Sequence, residues 1–115
     1  MYEDMCAVCA PLKDADPDFP FTVEKRQGVP RPKPAKAGGS DHAYFAINGV
    51  PTIGFNLKDP KGYDFSYGEI WHTERDTYNK SIPEYQEHTA ICTAVVLYGL
   101  ANLDHILSRE GLYAE

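Results

Sequence analysis

The chain has 115 residues and a mass of 12.9 kDa, enough for one domain of modest size and too little for two. Apolar residues make up 43% and charged residues 24%, the balance of a globular chain and not of a disordered or fibrous one. Eleven Lys and Arg oppose seventeen Asp and Glu for a net charge of −6, which argues against nucleic acid or an anionic membrane as partner.

The elements follow in chain order. Met1 to Met5 carry acidic charge where an export signal would be basic. Residues 3–12 predict a helix with Met5, Val8, Cys9 and Leu12 on one face, ended by Pro11 and an Asp/Pro-rich run. Cys6 and Cys9 have the spacing of zinc and redox sites, but zinc needs a second pair and the redox motif a preceding strand. With Cys92 the count is odd, so no disulfide framework is expected and the pair reads as half-buried apolar residues. Residues 19–24 alternate aromatic and β-branched side chains, which suits an edge strand beside prolines. Residues 26–36, rich in Pro and Lys, form a surface loop.

Gly38-Gly39 lead into a helix over 42–48, with Ser40 or Asp41 placed to cap it and Asn48-Gly49 to close it. Residues 50–57 read as a nearly continuous apolar strand, buried on both faces. Residues 58–70 make a long loop of the kind that carries function. Ser81-Ile82-Pro83-Glu84 has the pattern of a capping box, opening a helix of about 28 residues that stops at Gly111. Its stretch 90–101 is nearly apolar but too short to span roughly 30 Å of hydrocarbon. A two-sided strand beside a broadly apolar helix predicts that a larger sheet is missing from this chain.

Of the four histidines, His88 and His105 fall in that helix and are too far apart to share a metal. His72 lies in a loop, 69–77, between the buried strand and the last helix, where α/β proteins place their sites. A neutral imidazole there can bind zinc while Asp76 orients it or the loop, or it can simply hydrogen-bond. Glu69 and Glu74 read as surface charge with Arg75 as their partner.

Three motifs in order, Gly39-Ser40-Asp41-His42-Ala43-x-Phe45, Asn48-Gly49-Val50-Pro51-Thr52-Ile53 and Trp71-His72-Thr73-x-x-Asp76-Thr77, resemble the closing third of the co-catalytic zinc aminopeptidases, metallopeptidase family twenty-eight, to which glutamate carboxypeptidases and glutaminyl cyclases also belong. The resemblance runs over 38–107. It implies an α/β fold, here a partial three-layer sandwich: the C-terminal part of a mostly parallel sheet with a long closing helix. Residues 1–37 would give a helix, an edge strand and a loop, and 38–115 the motif-bearing strand, loop and helix. In such enzymes two zinc ions polarise a bridging water, which a Glu deprotonates for attack on the peptide bond beside a free N-terminus.

Carried over by motif, His72 is the last zinc ligand in chain order, Asp76 a loop-fixing residue, and Ser40 and Asp41 pocket-lining groups, with Asp41 equally a helix cap. Trp71 stands where several peptidases have Tyr, and reads as a pocket wall before an oxyanion donor. Glutaminyl cyclases share Trp-His-Thr but favour Asp-Asp-His where this chain has Ser40-Asp41-His42, which favours the peptidase branch. The family's other ligands, an early His, a bridging Asp, a Glu-Glu pair and a later Asp, lie upstream of the matching part, and this sequence has no Glu-Glu pair.

A catalytic zinc needs three protein ligands. The expectation is therefore the C-terminal part of a zinc-dependent exopeptidase acting on peptides, inactive alone, holding at most one zinc weakly, with the missing N-terminal part of the domain as its partner. The alternatives are a non-catalytic protein-binding module of the same fold, a glutaminyl cyclase-like acyltransferase fragment, or a stand-alone small domain. Relatives are often exported.

Overall fold

The structure is a computed structural model that describes residues 1–25 and 27–114. α1 (Tyr2–Cys9) begins with Glu3 and Asp4, acidic residues that suit the positive end of a helix, and tightens into a 3-10 turn, Ala10–Leu12, at Pro11. α2 (Asp41–Ile47) follows Ser40, and Gly49, at φ +75°, turns the chain out of it. α3 is the single turn Tyr67–Ile70. After a second 3-10 turn, Tyr78–Lys80, comes α4 (Pro83–Ala101), 19 residues with Pro83 in its first turn.

The core sits where α1 crosses α4. Val8, Cys9 and Leu12 are buried against Cys92 and Val96, with Phe21, Val23 and Leu103 packed around them. Gly99 permits the crossing, since a Cβ there would lie 2.6 Å from Val8 Cγ1. All three cysteines are free; Cys9 and Cys92 are buried, and burial pushes both thiols above the ordinary range. The pair at 6 and 9 thus acts as the apolar residues expected of it.

The expected α/β sandwich is not what forms: among the described residues there is no strand and no sheet. Residues 20–24 and 50–57 have no regular secondary structure, and Phe19 ends a turn with its N–H on the Asp16 carbonyl at 3.1 Å. The physical reason is that a strand exists only through its neighbour's hydrogen bonds, and among the described residues these runs have no ladder, only the local turn bonds of Phe19 to Asp16 and Val50 to Phe45. Nor is 50–57 buried on both faces, for Ile53 and Phe55 are 41% and 43% exposed.

The last helix is also shorter than its apolar stripe suggests. It stops at Asn102, whose side chain folds back to donate to the Tyr98 carbonyl at 2.8 Å, so His105 lies beyond the helix. No capping box forms either. Ile82 occupies the N-cap without a side-chain bond, Ser81 Oγ instead accepts from the Gln86 side-chain Nε2, and Glu84 accepts from the Tyr63 hydroxyl at 3.1 Å.

The accessible surface is 9219 Å², against roughly 6,300 Å² for a compact monomer of this mass. The radius of gyration is 16.1 Å, against about 13 Å for a compact chain of this length. The outer face of α4 shows Ile91, Leu97 and Tyr98 to solvent. No helix among the described residues is long and apolar enough to cross a membrane.

Candidate functional site

The loop from 58 to 66 is folded around one carboxylate. Asp59-Pro60-Lys61-Gly62 makes a turn closed by the Gly62 N–H donating to the Asp59 carbonyl at 3.1 Å. The Asp59 side chain accepts from the amides of Tyr63 at 2.9 Å and Phe65 at 3.3 Å and from the Tyr85 hydroxyl. The Tyr85 hydrogen bond, helped by the two amides, holds the Asp59 carboxyl below the ordinary carboxylate range, although partial desolvation works the other way. Tyr85 is buried in the first turn of α4, and burial together with Asp59 raises its own pKa. Lys61 pairs with Asp18 at 2.6 Å and lies over the Phe19 ring. This hub fixes the loop that delivers α3. Sequence reading missed it, although Asp-Pro-x-Gly was a turn signal at hand.

α3 then presents the histidine. Its C-cap is Trp71, whose N–H donates to the Tyr67 carbonyl at 2.9 Å. His72 follows at φ +55°, the left-handed position after a helix that glycine usually fills. Thr73 ties off the turn: its hydroxyl donates to the carbonyls of Glu69 and Ile70 at 3.0 and 2.8 Å and accepts from the Arg75 amide at 3.2 Å. The Asp76 amide donates to the Thr73 carbonyl at 3.2 Å. The Trp-His-Thr-x-x-Asp run is thus a helix stop that turns an imidazole outward on strained backbone. Trp71 meets the His72 ring edge-on at 4.5 Å and stacks on Tyr67 at 6.3 Å, and both aromatics are exposed.

The remaining expected site residues are not gathered around His72. Ser40 and Asp41 stand at the start of α2 with exposed side chains, Ser40 contributing its carbonyl to the Ala43 amide at 2.9 Å. α2 and α3 do not pack on each other. Among the described residues the Asp76 carboxylate makes no hydrogen bond to His72, and Arg75 pairs with neither Glu69 nor Glu74. His88 is half-buried. Its ring stacks on Phe19 at 4.4 Å and Nε2 lies 3.4 Å from Cys92 Sγ. His105 is held between Asp104 at 2.6 Å and Asp4 at 2.9 Å, one carboxylate on each ring nitrogen.

The donor set can be tested against the zinc that the resemblance implies. Among the described residues no three His, Cys, Asp or Glu side chains come together in a way that could hold a metal ion. His72 is a single donor, the Cys9 and Cys92 thiols are buried in the core with His88 alone beside Cys92, and both nitrogens of His105 are engaged. The residues present do not build a zinc site by themselves.

The model of Peptidase family M28 matches residues 19–96, a span that takes in the first two motifs, the Asp59 hub and the His72 turn. The chain belongs to this peptidase family. No curated protein and no solved structure matches it.

Proposed function

We propose that this chain is part of an aminopeptidase-like, zinc-dependent exopeptidase, to which it contributes His72 as a metal-binding group and Trp71 as a wall of the substrate pocket. Polypeptide outside these residues supplies the other ligands, and the chain alone hydrolyses nothing. One observation carries the reading. Within the family-matched span, a histidine stands exposed on left-handed backbone where glycine would be cheaper, and strain of this kind is retained where a side chain's direction matters. Asp76 and Thr73 set that direction through the turn.

Zinc titration with a chelating indicator tests it on the chain as it is. The expected result is weak binding at a single site, abolished in His72→Gln, with no release of nitroaniline from amino-acid nitroanilides. Tight binding of two ions, or hydrolysis by the chain alone, overturns the reading that the site is completed elsewhere. Binding unchanged in His72→Gln overturns the role of His72. The reading frame in the genome gives a second test: an upstream segment lacking the His, Asp and Glu-Glu set would favour a non-catalytic protein-binding module.

A further inference from the structure

Positive charge is gathered into one segment of this acidic chain. Five of the eleven Lys and Arg fall in 25–36, where there is no Asp or Glu, so the run carries +5 in a chain of net −6. Inside it three X-Pro pairs follow one another, Val29-Pro30, Arg31-Pro32 and Lys33-Pro34. Each ring fixes its own φ at about −65° and pushes the residue before it out of the helical region. The whole of 29–34 is therefore confined to extended or polyproline backbone. The fold agrees, for 30–34 form no helix, strand or turn. Among the described residues the one main-chain hydrogen bond of 30–36 is the Ala114 N–H donating to the Arg31 carbonyl at 2.9 Å, which fastens the segment near its start. Residues 31–36 are all exposed, and Val29 is 84% exposed. Although the rest of the chain is rich in carboxylates, Arg31, Lys33 and Lys36 make no ion pair among the described residues.

We propose that 29–36 is a docking segment for a protein domain whose groove is lined by aromatic side chains and rimmed by carboxylates, the chemistry that reads polyproline helices. A polyproline helix has three residues per turn. Pro30 then lies in line with Lys33, and Arg31 with Pro34, so two edges of the rod each set a proline ring beside a cation. Aromatic faces take the rings and carboxylates answer the cations. Because the prolines set the rod before binding, the partner has little backbone left to order. Nucleic acid or anionic lipid would read the charge alone. Neither gains from prolines that alternate with the cations, and the acidic remainder of the chain repels both. The proposal is independent of the zinc reading, since none of these residues takes part in the His72 turn.

Nuclear magnetic resonance titration of the isotope-labelled, intact chain tests this. The probes are a set of isolated SH3 domains with acidic rims, and the counter-probes are a duplex oligonucleotide and vesicles of about one-third phosphatidylserine. At least one domain should bind with a Kd of about 1 mM or tighter, with shift changes confined to 29–37. The triple variant Pro30→Ala, Pro32→Ala, Pro34→Ala keeps every charge and should bind about tenfold more weakly or worse. It lies outside the core, so its circular dichroism spectrum and melt should match the wild type. Lys33→Ser with Lys36→Ser leaves every proline in place and should weaken binding by a similar factor. No shift with any domain, or equal binding by the proline variant, overturns the proposal. Binding to the oligonucleotide or the vesicles as tight as to the domains, and unchanged in the proline variant, overturns it in favour of a contact through charge alone. His72→Gln should leave the titration unchanged, so a failure of the zinc reading and a failure of this one are told apart.

Discussion

The Tyr85 hydroxyl in the first turn of α4 donates to the Asp59 carboxylate and accepts from the Lys61 amide at 3.0 Å, so one buried phenol joins the last helix to the loop that carries α3 and His72. Asp59→Asn and Tyr85→Phe should each lower the unfolding midpoint at pH 7, and the double variant should lose less than the sum, because the two remove one interaction. The sign with pH follows from the depressed Asp59 pKa, owed first to the Tyr85 hydroxyl. The stabilisation is present above the ordinary carboxylate range and is lost as pH falls through the lower folded value. Thermal melts of wild type and Asp59→Asn should therefore converge as the buffer is taken from pH 7 down to about 3.

His105 works in the opposite sense. Asp104 first and Asp4 second raise its pKa, and the bond to Asp4 ties the start of α1 to the segment after α4. Stability from this charge is complete below the ordinary histidine value and is lost as pH rises through the raised one. His105→Gln should cost more at pH 5.5 than at pH 8.5. The ring is half exposed, so added salt should shrink the difference. Melts at the two pH values, with and without salt, check both statements.

How far the fold can be read from the sequence depends on what each signal measures. Asn48-Gly49 ends α2 as its dipeptide predicts, since the positive φ of Gly49 is a local property. Residues 50–57 are apolar but do not form the strand that was read there, because pairing is a property of the neighbour, and periodicity says nothing about whether a neighbour is present. The stripe continuing through Ile106 hides the stop at Asn102, where a side chain competing for the Tyr98 carbonyl outweighs hydrophobic spacing. At the candidate site, the residue types of Trp71, His72 and Asp76 were legible. The use of Thr73 as the knot of the turn, and of Asp59 as the anchor behind it, emerges only when donors and acceptors are placed in space.

The backbone at His72 can be weighed apart from its side chain. A non-glycine residue in the left-handed region costs about 1–2 kcal/mol, and glycine escapes most of that. His72→Gly should therefore be more stable to urea than His72→Ala by about 1 kcal/mol, while both lose the weak zinc binding. Equal stability of the two would show that the turn does not hold residue 72 at φ +55° in solution, and would remove the strain on which the functional reading leans.

Gly99 and Val8 give the sharpest test of the α1–α4 crossing. Replacing a mid-helix glycine by alanine ordinarily gains about 1 kcal/mol from propensity. Here the new methyl would sit 2.6 Å from Val8 Cγ1, and a β-branched side chain on a helix cannot easily turn away. Overpacking of this kind costs about 1–3 kcal/mol, so Gly99→Ala should be neutral to destabilising by about 2 kcal/mol once the propensity gain is included. Val8→Ala alone should destabilise by opening space in the core. The double variant should be more stable than the sum of the two single effects, because the alanine methyl at 99 fills the room vacated at 8. Urea unfolding of the four proteins gives the coupling, and additive effects would mean that α1 and α4 do not cross at this pair.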